Sequence, residues 1–163
     1  MEWEQRLAEL WASIDDFSEE AFLTQMQHLV KELPADSAVA LFEQACALDS
    51  TGHSDQAVSL YRQALAHGLP GERRRRAVIQ MASSLRNIGQ SAESVALLMA
   101  ERENNPSDDL DDAVSAFLAL ALVDVGRERE AVALALTALS QHLPRYQRSL
   151  ANYARLIADD PSS

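Results

Sequence analysis

Three stretches decide the fold: GHSDQAVSLYRQAL at 52–65, GQSAESVALLMAER at 89–102 and GREREAVALALTAL at 126–139. Each opens on a glycine, and Gly52, Gly89 and Gly126 stand 37 residues apart. The register extends in both directions. Ala45, Ala82 and Ala119 precede each glycine by seven positions, and Leu48, Leu85 and Leu122 by four. After it come Ala57, Ser94 and Ala131, then Val58, Val95 and Val132, then Leu60, Leu97 and Leu134. An apolar period near 3.6 runs up to each glycine, stops, and restarts about three residues on. A helix ended by a left-handed glycine and followed at once by a second helix produces that pattern. Small residues recur where two antiparallel helices approach closely, and Leu and Val fill the rest of the seam. Each copy is therefore a helical hairpin that leaves one apolar face for its neighbour to cover.

The frame resembles the tetratricopeptide repeat: a small residue, then Gly, then Ala, an aromatic and Ala, with Pro closing the unit. The first copy follows it with Ala45, Gly52, Ala57, Tyr61, Ala64 and Pro70. The second places Leu98 at the aromatic and Glu101 at the last Ala, the third Ala135 and Ala138, with Pro106 and Pro144 closing these units. The usual period is about 34 residues, so extra residues lie after each Pro, lengthening the next first helix or enlarging its entry loop. The segments STGHSDQAVSLYRQAL, RRRRAVIQMASSLRNIGQ and LPRYQRSLANYA are similar to a small bacterial tetratricopeptide family of uncharacterised function, over roughly residues 38 to 157. That resemblance implies a fold and no activity.

The expected fold is all-α, a right-handed α-α superhelix of tetratricopeptide-like hairpins with a terminal capping helix. One domain covers residues 1–163, with repeats at 38–70, 75–106 and 112–144 and a capping helix at 145–159. Residues 1–37 form a degenerate pair without the glycine, with helices at 2–14 and 18–33, Ser18 as N-cap, Pro34 as the stop, and Asp36 or Ser37 capping the next helix. In the last helix Tyr146, Leu150, Tyr153 and Ile157 make one apolar stripe, with a polar back that ends the array.

Composition excludes several function classes. The 25 acidic residues outnumber 14 basic ones, giving a charge of -11 that repels nucleic-acid phosphate and anionic membrane surfaces. MEWEQRLAEL has acidic residues where a signal peptide needs a basic start and an apolar run, and no later stretch approaches a membrane span, so a soluble cytoplasmic protein is expected. His28, His53, His67 and His142 lack zinc-site spacing, and Cys46 stands alone, so neither metal nor cofactor is expected. No phosphate loop or nucleophile elbow occurs, and Cys46 has no activating partner in sight, so an enzyme is not expected. The pairs Asp15–Asp16, Asp108–Asp109 and Asp111–Asp112 fall at helix starts, where the dipole favours carboxylates. Arg73 to Arg76 turn around a helix axis and share no face, which reads as ion pairing within the chain.

Recognition is expected on the first helices, which the resemblance places along a concave, peptide-receiving groove. On the helix from Arg73 to Ile88, residues Ala77, Val78, Met81, Ala82, Leu85 and Ile88 make an apolar arc. Arg76, Gln80, Ser83, Arg86 and Asn87 make a polar arc suited to a peptide backbone, carboxylate or phosphate. Phe117 and Leu120, 37 residues beyond Gln80 and Ser83, lie on a helix that is apolar nearly all round, which implies burial on all sides. Its cover is the terminal helix, a second copy, or an apolar anchor on a partner. Two functions follow: an adaptor holding a protein or peptide segment, including one with an anionic group, in the groove, or a homodimer whose groove is filled by its own chain or its twin.

Overall fold

The computed structural model describes residues 2–104 and 107–160, so Pro106, expected to close the second repeat, lies outside the described residues. Among them are nine α-helices and no strand: α1 Trp3–Ala12, α2 Glu19–Val30, α3 Ala38–Ser50, α4 Ser54–Ala66, α5 Gly71–Asn87, α6 Ser91–Asn104, α7 Asp111–Asp124, α8 Glu128–Ser140 and α9 Gln147–Asp159. The fold is the all-α helical repeat expected from the sequence. The chain divides into two compact units, Met1–Ser84 and Leu85–Ser163, with the boundary inside α5.

The three glycine turns are one structure repeated. Gly52, Gly89 and Gly126 have φ of 84°, 81° and 77°. At each, the glycine N–H donates to the carbonyl three residues back, and the next N–H to the carbonyl five residues back. The pairs are Gly52 to Asp49 with His53 to Leu48, Gly89 to Arg86 with Gln90 to Leu85, and Gly126 to Val123 with Arg127 to Leu122. These bonds satisfy carbonyls that the helix end would leave bare. A Cβ on any of the three would meet nothing within 4 Å. Glycine is therefore required by the positive φ and not by space.

In the first unit α1 packs on α2, α2 on α3 and α3 on α4. Ser18 caps α2 and Ser37 caps α3 through bonds of 3.3 Å from Ala21 and Ala40 N–H. The core of the N-terminal pair is Leu7, Phe22, Met26, Leu29 and Val30, joined by Ala40 and Ala47 of α3. The Trp11 and Phe22 rings meet at 5.2 Å, and the Trp3 indole N–H donates to the Leu29 carbonyl at 2.9 Å. The signature residues Ala45, Ala57, Tyr61 and Ala64 are fully buried; of the apolar arc Ala77, Val78, Met81, Ala82 and Leu85 are buried, whereas Ile88 follows the end of α5 and is exposed.

In the second unit α6 packs on α7, α7 on α8 and α8 on α9. Its core is Leu85, Val95, Leu98, Val114, Leu118, Ala121, Leu122 and Ala131. The extra residues of the 37-residue period are used in both ways expected: α5 begins directly at Gly71, whereas 107–110 precede α7 as an enlarged entry. That entry is stapled by carboxylates, since Asp108 accepts from Leu110 N–H at 2.8 Å and Asp111 from Asp108 N–H at 3.3 Å.

Two expectations change. Of the three covers expected for the helix over 111–124, the chain's own terminal helix is not the one over Leu120 and Val123, which remain 46% and 47% exposed. In the terminal helix Tyr146 lies outside α9 with φ 69° and Tyr153 is exposed, while Ala154 is its buried residue. Leu150 and Ile157 of the expected stripe are half-buried one turn either side of Ala154, so the helix seats on a line centred on the small Ala154 that keeps two of the four expected residues and leaves both tyrosines outside.

Candidate recognition site

Helix α5 carries the polar arc, and the structure gives each member a different setting. Arg76 is exposed, and its guanidinium lies over the Phe42 ring at 5.3 Å from the centroid, shielding a ring that is itself buried. Among the described residues no carboxylate pairs with it. Gln80 is half-buried, and its side-chain oxygen accepts from the Cys46 thiol at 3.5 Å. Ser83 is half-buried one turn further on. These three belong to the first unit; Arg86, Asn87, Phe117 and Leu120 belong to the second.

Arg86 is already engaged. Its Nε lies 2.5 Å from the Asp124 carboxylate, which also accepts from the Ser91 hydroxyl at 3.1 Å. The hydrogen bond from Arg86, with the one from Ser91, holds the Asp124 carboxyl below its ordinary value. Asn87 also has a partner within the chain. On α7, Phe117 is half-buried and Leu120 exposed, and Asp124 follows Leu120 by four residues on the same face.

The sequence reading missed the equivalent positions of α3, which are closed from inside. Glu43, 37 residues before Gln80, is buried. It accepts from the Trp11 indole at 3.1 Å and from Arg73 Nε at 3.0 Å, while Arg73 also grips Glu4 at 2.7 and 3.1 Å. Thus α1, α3 and α5 are tied by one carboxylate–guanidinium network. A signal existed: AVALFEQACAL is apolar apart from Glu43 and Gln44, and a charge in such a helix needs a counter-ion. Of the arginine run, Arg73 is ion-paired and Arg74 and Arg75, the latter buried, have partners within the chain, whereas Arg76 departs from the expected ion pairing.

Cys46 is a structural thiol. Burial, reinforced by the Glu43 charge, pushes it up to about 12, so it is not a nucleophile near neutral pH. The buried Tyr61 hydroxyl reaches both Cys46, at 3.8 Å, and Asp49, at 3.3 Å, and Ser84 donates to Asp49 at 2.9 Å. Burial raises the Tyr61 phenol, which stays protonated. Among the described residues no group of three His, Cys, Asp or Glu side chains could hold a metal, and no helix is long and apolar enough to cross a membrane.

Repeated hairpins, a small-residue seam and identical glycine turns define a helical repeat scaffold, the class whose work is to present a surface to another macromolecule. Residues 38–157 match the tetratricopeptide repeat family, and the chain belongs to it. No curated protein and no solved structure matches the chain. Tetratricopeptide repeats are a protein-interaction fold, and the function of this chain is accordingly sought in a binding surface.

Proposed function

We propose that the protein is an interaction module that holds an extended peptide segment carrying an anionic group along the polar face of α5. The observation that carries this reading is Arg76: an exposed guanidinium in a chain of charge -11, left without a carboxylate partner among the described residues. Its seat over Phe42 limits the side chain's freedom, which lowers the entropy lost when an anion binds. Gln80 and Ser83 continue the same face at i+4 and i+7, offering an amide and a hydroxyl to a peptide backbone. Arg86 and Asn87 lie further along the same helix, where Arg86 would serve a ligand only by exchanging Asp124 for it. Phe117 and Leu120 are a separate, apolar contact point on α7.

The test is capture of binding proteins on the immobilised full chain, with the bound species quantified by mass spectrometry. The double substitution Arg76→Ala and Arg86→Ala should remove the specific binder. Thermal stability should fall little, since exposed ion pairs contribute only about 0–1 kcal/mol. Undiminished recovery by the folded variant overturns the reading.

A further inference from the structure

The second helix of each hairpin has a face made to receive the first helix of the next. In α6 that face is Val95 and Leu98, 6% and 0% exposed, and α7 packs on α6. In α4 the equivalent Val58 and Tyr61 are buried as well. On α8 the equivalent residues are Val132 and Ala135, followed one turn later by Leu139, and this face is open. Val132 is 48% exposed, Leu139 50%, and Ala135 is exposed too.

The next helix, α9, does pack on α8, but elsewhere. The buried residues of α8 on that side are Ala133 and Ser140, whereas Ser59 and Ala96, the equivalents of Ala133, are exposed. At 3.6 residues per turn the two faces are about a third of a turn apart. The last helix is therefore displaced around α8 and leaves the inter-repeat slot vacant. In its displaced position α9 walls a cavity of about 450 Å³ over Leu118 and Leu122, lined by Ala133 of α8 and Ala154 of α9. On both helices the exposed apolar residues fall on the side away from this cavity: Val132, Ala135 and Leu139 on α8, Tyr153 (63%) and Leu156 (50%) on α9.

Charge marks this end of the chain as different from the rest. Between 128 and 160, Arg129, Arg145, Arg148 and Arg155 balance Glu128, Glu130, Asp159 and Asp160, so the segment is neutral within a chain of charge -11. Two copies would repel over most of their surfaces and not here.

We infer that the α8–α9 face is a self-association surface, occupied by the same face of a second copy in a two-fold, four-helix arrangement. Tyr153 and Leu156 of each copy enter the slot formed by Val132, Ala135 and Leu139 of the other. A two-fold contact must be self-complementary. This face meets that condition, since it carries both an empty helix slot and an exposed apolar ridge fit to fill one. Association closes at the dimer and uses no residue of α5, so this inference rests on different residues from the peptide-binding reading and stands independently of it.

Light scattering coupled to size exclusion, over a wide range of concentrations of the full chain, tests it. The expected result is a dimer that Leu139→Asp and, separately, Leu156→Asp convert to monomer. The melting temperature of the dilute variant should be retained, because both side chains are exposed. Val123→Asp, at an exposed apolar residue of α7, should leave the dimer intact. Should Leu139→Asp unfold the chain, Val132→Ser makes the same test with a milder change. A wild-type chain monomeric at every concentration overturns the inference, whatever other protein it binds. So does a dimer indifferent to both aspartates, or an assembly that grows beyond two copies.

Discussion

At the scale of single residues, the repeat is enforced by backbone sign. An L side chain at φ near +80° pays about 1–2 kcal/mol in the left-handed region, and nothing near the repeat glycines would add a clash. Gly89→Ala should therefore lower stability by about 1–2 kcal/mol and Gly89→Asn by less, read as a shift in the urea midpoint. An unchanged midpoint in the alanine variant would show that the turn relaxes to negative φ. These glycines were legible in the sequence because a local conformational requirement leaves a local mark. Arg76 was legible only as a member of an arc. That it sits over Phe42 while Arg86 is consumed by Asp124 depends on residues 34 and 38 positions away, which no local pattern reports.

At the scale of elements, helix ends and packing faces behaved as their sequences suggested where packing was repetitive, and departed where it was not. Ser18 and Ser37 cap as expected because capping is a matter of two or three neighbouring residues. The clasp that ties α1 to α3 and α5 joins Glu4, Glu43 and Arg73, far apart in sequence. Arg73→Met should leave the buried Glu43 carboxylate with the Trp11 indole alone, for a loss of about 3–5 kcal/mol in urea unfolding. Adding Glu43→Gln should restore part of that loss by removing the stranded charge. A single-variant loss under about 1 kcal/mol would show that Glu43 is solvated when Arg73 is gone. The terminal helix was read in part: Leu150 and Ile157 are half-buried beside Ala154, whereas Tyr146 and Tyr153 are exposed, because hydrophobic spacing ranks large side chains while the seat on α8 centres on a small one.

At the scale of the whole molecule, arginines hold carboxylates below their ordinary values, among them Glu32 by Arg6, Asp124 by Arg86 and Glu130 by Arg127. A carboxylate depressed in the folded chain contributes stability above its unfolded value and loses it as pH falls through the folded one. The melting temperature should thus fall as pH drops below about 4, through the ordinary carboxylate range and beneath it. In Arg86→Gln the fall should be shallower, with the difference shrinking at high salt, because that variant has already lost the Asp124 pair. Equal pH profiles for the two chains would show that this pair forms in neither. Taken alone, the sequence determined the all-helical repeat, its 37-residue step, the glycine turns and the identity of the buried small residues, because each is set by spacing along a few helical turns. Only the tertiary structure decided which arginines are already paired, that Glu43 is bound from within by Trp11 and Arg73, and that α9 stands a third of a turn away from the slot its repeat register assigns it. Those outcomes rest on competition between distant side chains for the same face, charge or void, and that competition is settled only when the helices pack.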